Sequence, residues 1–587
     1  MIGLPQRTDD PIAIVGLACR TAGAENSDEL WQLLTTGKRM IRPVSSDRLP
    51  SVQPGAVAVA VPHAALMDDI DGFDAAFFGI SRRMASWMDP HQRMLLELTR
   101  HALDSAALDS DRLRGMPIGV FAAAPMSDYR ERMVQAGTVD SAAFPGTLIT
   151  FVANRISYEF DWTGPSYAID SACSSGLHVL SPALAGLRSG EFPIAAVMGA
   201  NLTCNGFYTS SAYRAGALSP TGESVPFDAH RDGYLRGEGG ACLILKRLSD
   251  AVRDGDPVHA VIRGVGLAHN GRAGGLTATD AASQTQLITR TADACGVPVR
   301  SIGYFEAHGT GTRGDAVEVQ AIGRALQPEP AGSIGAAAGP GDKLWIGSIK
   351  SNIGHLETAA GLLGIVKATL ILRHGLIPRI AGLTRVDPDI DVRSAPLAIA
   401  DHDTPWQPSD TPRRIGVNSF GVGGALGTAI IEEAPALPDE AVATADTLVF
   451  PLSAMDERGL RAVAADLQPA LGRSELSLES IAWTLQSGRP ALPVRRAVVT
   501  SGRDHLRRAI AVIAEGDIPP DVPQAGTRGP FEPLPEDRSA ELTDWLGGAG
   551  IDWPAFWGGD TMPRRVSLPG YPFFRRSYWF NSDRPIN

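Results

Sequence analysis

Through roughly the first 430 residues, short apolar runs of strand length alternate with stretches of helical spacing, and this alternation constrains the fold more than any other feature. PIAIVGLA precedes a helical stretch around Glu29 to Leu34, and GVFAAA is a further strand candidate. YAIDSA leads into SSGLHVLSPALAGL, and LWIGSIK leads into TAAGLLGIVKATLIL. The pattern predicts an α/β architecture. A last run, GTAIIEEA, follows the glycine-rich NSFGVGGALG and closes the pattern near residue 434. One helix start is explicit: Asp89 offers an acidic N-cap and Pro90 stands at the first helical position, with LLELTRHAL to follow. QPEPAGSIGAAAGPG, near residues 326–341, is rich in Gly, Ala and Pro and reads as an exposed loop inside the large domain.

A chain of 587 residues exceeds what one ordinary core organises, so accessory units are expected beyond residue 434. LVFPLSA and RRAVVTS read as strands, DERGLRAVAADLQPAL and DHLRRAIAVIAEG as helices, which makes residues 435–530 a small α+β adapter. A Pro/Gly-rich stretch at 518–536 leads into a tail, residues 531–587, that holds Trp545, Trp553, Trp557, Tyr571, Phe573, Phe574, Tyr578 and Trp579. Left in water these rings would promote aggregation, so the tail is expected to pack back onto the large domain.

Hydrophobic residues make up 44% of the chain and charged residues 20%, values that fit a soluble globular protein. The net charge of −12 is spread without long single-sign runs, which argues against a nucleic-acid partner. No uninterrupted apolar run of about 18 residues occurs, and the first residues lack the pattern of a signal peptide, so no membrane partner and a cytoplasmic location are expected. Cys19, Cys173, Cys204, Cys242 and Cys295 lie far apart with no CxxC spacing, which points to reduced thiols and away from zinc.

Three stretches carry chemistry. In DSACSSGLHVL, Cys173 ends a strand-like run just before a helix, where backbone N–H groups and the helix dipole would stabilise a thiolate. Leu177, Leu180, Leu184 and Leu187 recur at helical spacing after it, and Pro182 should kink that helix. Taken alone, the stretch leaves a buried structural thiol equally open. EAHGTGTRGDAVE places His308 after an apolar strand and before a loop of glycines and threonines. GSIKSNIGHLETAAG places Lys350 and His355 between a strand and a helix, where a histidine is biased towards its neutral form. A sulfur nucleophile with two imidazoles can hold an acyl group and stabilise an enolate oxygen. GVGGALG lacks the G-x-G-x-x-G spacing and runs into a β-branched strand, which excludes a dinucleotide loop.

With DPIAIVGLACR, FDAAFFGIS, MDPHQRMLLEL, ANRISYEFDWTGPS, PFDAHRDGYLRGEGG and GVNSFGVGG added in order, residues 11–434 resemble the β-ketoacyl synthases (ketosynthases) of modular type I polyketide assembly lines, in the thiolase superfamily. The resemblance implies a duplicated αβαβα five-layer fold and a homodimer, with no permanently bound cofactor. Substrates would arrive on the phosphopantetheine of an acyl carrier protein. It implies Cys173 as the acyl-accepting nucleophile, and His308 and His355 as the residues that promote decarboxylation of a malonyl-type extender and hold its enolate. Lys350 and Glu357 would orient the histidines, and Thr310 and Thr312 would contact the phosphopantetheine arm. The N–H groups of Cys173 and Phe420 would form the oxyanion hole.

The adapter resembles the linker between a ketosynthase and an acyltransferase, and PRRVSLPGYPFFRRSYWF resembles the segment that follows that acyltransferase. The stretch between them is too short for such a domain, and no carrier-protein serine motif follows, so a free-standing ketosynthase is expected. Three departures from the family pattern stand out. GGALG replaces the usual GGTNAH, the loop after HGTGT is one residue short, and residues 51–66 do not match. The expected reaction is acyl transfer to Cys173 followed by decarboxylative condensation. One alternative is a cyclase of the salinosporamide bicyclase type, which closes a ring in a finished chain on Cys173 and releases a lactone. Another is a non-catalytic subunit like a chain-length factor, against which the retained nucleophile argues.

Overall fold

The computed structural model describes residues 10–45, 48–49, 63–272, 275–327, 338–436, 447–517, 522–523, 534–557 and 562–580. Most of the 326–341 loop, of the unmatched 51–66 segment and of the 518–536 stretch lies outside the described residues.

An eleven-stranded sheet is built from two copies of a five-stranded plan, with Leu397–Ile399 added at one edge beside Leu344–Gly347. In the first half, Ile12–Thr21 pairs antiparallel with Gly239–Arg247, and that strand pairs antiparallel with Ile194–Asn201. Gly119–Ala123 and Ser166–Ile169 then follow in parallel. The second half repeats this order and these senses with Ala260–His269, Ala425–Glu433, Arg414–Phe420, Tyr304–Glu306 and Leu344–Gly347. The halves join through their first strands, Ile12 opposite Ile262 and Ile14 opposite Ala260.

Helices complete the layers. Ala360–His374 contacts Gly239–Arg247 from one half and Arg414–Phe420 and Ala425–Glu433 from the other, and it is buried from Ala360 to Leu372. A helix with sheet on both sides must be apolar all round, as this one is. Leu180–Ser189 lies in the same central layer. Pro90–Ser105 covers the first half, and Ala281–Ala294 covers the second with Gly314–Ala325 beside it. The Asp89 carboxylate accepts the His91 N–H at 2.9 Å, which makes the Asp-Pro start a capped one. The helix after Cys173 divides into Ser175–His178 and Leu180–Ser189. Pro182 has no N–H to offer the His178 carbonyl four residues back, so the hydrogen-bond ladder breaks there. Leu177, Leu180, Leu184 and Leu187 are all buried.

Beyond the large sheet, Leu448–Ala454 pairs antiparallel with Val494–Thr500. One face of this pair, with Phe450, Leu452 and Val498, packs on helices Glu457–Leu471 and Arg503–Glu515. The other, with Val449, Ala497 and Val499, packs on Trp545, Trp553 and Phe556. Strand alternation thus serves two cores at once. Further on, Tyr571 and Phe573 lie against Phe77, and Trp579 lies against Tyr129 of the large domain. Arg575 bridges Glu97 and Glu25, both at 2.6–2.7 Å. Among the described residues, no helix is long and apolar enough to cross a membrane.

Candidate active site

Cys173 sits in a tight turn after strand Ser166–Ile169, and the serines around it hold that turn. Ser171 N–H donates to Ser175 Oγ at 2.8 Å, Ser175 Oγ donates to the Ala172 carbonyl at 2.6 Å, and Ser174 Oγ donates to the Ser171 carbonyl at 2.9 Å. These bonds offset the strain at Ala172, whose φ of +54° costs an alanine on the order of 1–2 kcal/mol. Gly421 approaches the same turn so closely that a Cβ there would lie 2.6 Å from the Ser171 carbonyl. Only glycine lets the 421–424 loop rest against the turn that holds Cys173.

Burial pushes the Cys173 thiol up to about 12, and Glu357 adds to the rise, against Lys350 and the N–H groups of Val422 and Cys173, which favour the anion. The expected thiolate is therefore corrected: the resting group is a neutral thiol. The helical turn behind it has only four residues, Ser175–His178, and too little dipole to offset burial.

His308 and His355 face each other edge to face, with ring centres 5.4 Å apart. Burial and the Lys350 cation hold both well below the ordinary histidine range; His308 and Arg236 add to the effect on His355. They are neutral, as the sequence suggested, but burial and a nearby cation are the cause. The tautomers follow from the backbone. Phe420 N–H donates to His308 Nδ1 at 3.3 Å, and Glu357 N–H donates to His355 Nδ1 at 3.1 Å. Each neutral ring therefore carries its proton on Nε2.

Two residues that the resemblance placed at the site meet the histidines through their main chain. The Phe420 N–H donates to His308 Nδ1. The Glu357 carboxylate turns to Arg236 at 2.7 and 2.8 Å, so only its backbone N–H orients a histidine. Lys350 is buried, and its charge bears on Cys173, His308 and His355 together. Thr310 and Thr312 join hydroxyls at 3.0 Å in a half-buried loop, tied down where Asp315 accepts the N–H groups of Thr310 and Gly311.

Sequence reasoning passed over two residues that fix this site. Glu318, inside the quoted RGDAVE, accepts the N–H groups of His308 at 2.7 Å and Gly309 at 2.9 Å, and the Asn418 amide at 3.0 Å. Arg236, inside YLRGEGG, grips Glu357. Leu426, where the family motif has asparagine, packs instead with Leu287 and Phe420.

Comparison with known proteins bears on the whole chain. The family described as Beta-ketoacyl synthase, N-terminal domain, matches residues 9–251, and its C-terminal domain matches residues 259–384. A third, the RhiE-like, KS-MAT linker domain, matches residues 451–517. Among curated proteins, 5-methyl-1-naphthoate synthase of Streptomyces sahachiroi is 36% identical over 89% of this chain and 30% of its own length. Highly reducing polyketide synthase acrA of Aspergillus aculeatus is 38% identical over 97% of this chain and 23% of its own. The chain thus spans less than a third of these relatives. Among solved structures, the oxazolomycin ketosynthase domain of Streptomyces albus aligns with a TM-score of 0.86 at 31% identity, covering 98% of this chain and 99% of that one. The ketosynthase from module 6 of the bacillaene synthase of Bacillus subtilis aligns at 0.84 and 31% identity, covering 97% and 100%. The duplicated five-layer arrangement is the thiolase-like fold of these ketosynthases.

Proposed function

Because the chain belongs to the β-ketoacyl synthase family, we propose that it takes an acyl group from the phosphopantetheine of an acyl carrier protein onto Cys173 and extends it by decarboxylative Claisen condensation. In the first step the sulfur attacks the carrier thioester, the bond from carbon to the pantetheine sulfur breaks, and the Cys173 proton ends on the departing thiol. In this reading the Cys173 N–H, with the Phe420 N–H that the family resemblance pairs with it, supplies the donors for the tetrahedral oxyanion. In the second step a carrier-bound malonyl-type unit loses CO2, and the enolate oxygen rests on the Nε2–H groups of His308 and His355. The enolate carbon then attacks the acyl-Cys173 carbonyl, a carbon–carbon bond forms, and Cys173 departs and regains a proton. Thr310 and Thr312 are placed in this reading along the pantetheine arm, and Lys350 holds the two rings neutral.

One observation carries the reading. Both imidazoles spend Nδ1 on a backbone N–H, so both present a proton donor to the site. A pair of donors suits an enolate formed by loss of CO2, which needs no base. Ring closure of a loaded chain would need an imidazole lone pair to remove a carbon-bound proton. The second reading is favoured by the departure at GGALG, where Leu426 packs with Leu287 and Phe420 in place of the family's polar motif. A chain-length-factor role is disfavoured by the retained nucleophile.

Residues 435–530 and 531–587 are read as an adapter and a wrapping tail. A homodimer is supported by the outer strand Ser166–Ile169, which has a neighbour on one side only, and by exposed Tyr158 and Tyr167 near it. Five free cysteines fit a reducing, cytoplasmic setting. The test supplies acyl carrier and malonyl carrier and follows CO2 and product. A β-ketoacyl carrier formed with release of one CO2 per turnover is expected. Release of a lactone without malonyl carrier or CO2 would overturn the reading in favour of cyclisation.

A further inference from the structure

The extended segment Tyr234–Gly237 cradles His355 through the main chain. His355 N–H donates to the Leu235 carbonyl at 2.7 Å, and Gly237 N–H donates to the His355 carbonyl at 2.9 Å. From the same segment the Arg236 side chain reaches two residues further along, to Glu357. Arg236 Nε donates to Oε1 at 2.7 Å and Nη2 to Oε2 at 2.8 Å, while Nη1 donates to the Thr209 hydroxyl at 2.5 Å. The Tyr234 ring stands edge to face with His355 at 5.3 Å.

Glu357 needs holding. Its φ of +39° is a left-handed conformation that glutamate disfavours, and from it the Glu357 N–H reaches His355 Nδ1. Relaxed to ordinary backbone, that N–H would swing off the ring, and Nδ1 would be free to take the proton. The bidentate fork is what a lysine cannot reproduce. Thr209 fixes the guanidinium from the other side, so the grip does not depend on Glu357 alone.

We propose that Arg236 is a positioning residue that locks the tautomer of His355: by holding Glu357 in its left-handed conformation it keeps a backbone N–H on Nδ1 and the proton on Nε2. The catalytic consequence rests on the condensation reading, while the lock itself does not. With the lock released, His355 exchanges its donor for a lone pair towards the site. The condensation kcat should then fall roughly 10- to 100-fold, with a much smaller change in KM for malonyl carrier, because the lost interaction is one made to the developing enolate.

The test is made on the full chain with histidine labelled in ¹⁵N, the His355 signals being assigned by their loss in His355→Gln. The wild type should show an unprotonated Nδ1 and a protonated Nε2. Arg236→Met should move His355 to the reverse or a mixed pattern, and Arg236→Lys should fall between. If Arg236→Met fails to fold, Glu357→Gln, which keeps size and shape but not the ion pair, carries the same expectation. A wild-type pattern in the folded variants, or a protonated Nδ1 in the wild type, would overturn the lock. Failure of the wild type to release CO2 from malonyl carrier would instead count against condensation and leave the lock standing.

Discussion

The imidazoles of His308 and His355 stand 5.4 Å apart at 80°, each with Nδ1 turned to a backbone N–H and Nε2 left for the site. Two neutral donors at that spacing form a hole for one small oxyanion. His308→Gln or His355→Gln should lower the condensation kcat by roughly 10²- to 10³-fold, the usual effect of losing one such donor. The double variant should lose less than the product of the two, because the donors act as a unit. Steady-state kinetics with malonyl carrier measures both effects.

Cys173→Ala should abolish the covalent acyl adduct, read by intact-protein mass after incubation with acyl carrier. An adduct of full stoichiometry in this variant would remove Cys173 from its role. Because burial pushes the thiol up to about 12, alkylation of Cys173 by iodoacetamide should be slow at neutral pH. It should speed up about tenfold per pH unit through the alkaline range, since the thiolate is the nucleophile.

The pH profile follows from the histidines. Both are held well below the ordinary range by burial and Lys350, so neither gains a proton near pH 6.5. The condensation rate of acyl-loaded enzyme should therefore run level from about pH 8 to below 6.5, without the acid limb of an ordinary imidazole. An inflection near 6.5 would show that the rings are less buried in solution.

Stability should depend on pH in the same sense. His259, held at about 4 chiefly by burial, and His308 and His355, also depressed, are neutral in the fold and titrate near 6.5 once unfolded. Below 6.5 the unfolded chain binds protons that the folded one does not, so unfolding is favoured. Their contribution is complete above pH 6.5 and is lost as pH falls from there towards 4. Urea midpoints measured across that window should decline, and His259→Gln should flatten part of the slope.

The tail should contribute measurably to the stability of the large domain. Tyr571 is 6% exposed, packs on Phe77 and Phe573, and accepts the Met455 N–H through its hydroxyl. Tyr571→Ala should cost about 3–4 kcal/mol, the range for truncating a buried aromatic ring, in chemical unfolding.

How much of this the residues announced depends on whether a feature is local. The strand and helix alternation, the Asp89-Pro90 cap and the break at Pro182 are written within a few residues, and the structure has them where the sequence put them. The family was legible because its motifs are short, ordered and chemically specific. What misled was argument from one neighbour at a time. Cys173 beside a helix start suggested a thiolate, yet that start is one short turn and burial of the thiol outweighs it. The loop also turns the Phe420 N–H to His308, a contact between residues 112 apart that no local motif announces.

By itself, then, the sequence determined the architecture and the family and singled out Cys173, His308 and His355, because those rest on periodicity and on short, chemically specific motifs. Only the tertiary structure decided the protonation of Cys173, the tautomers of His308 and His355, and the grip of Arg236 on Glu357, 121 residues away. Those depend on burial and on hydrogen bonds between segments far apart in the chain, and such distances exist only once the two halves of the sheet have closed on each other.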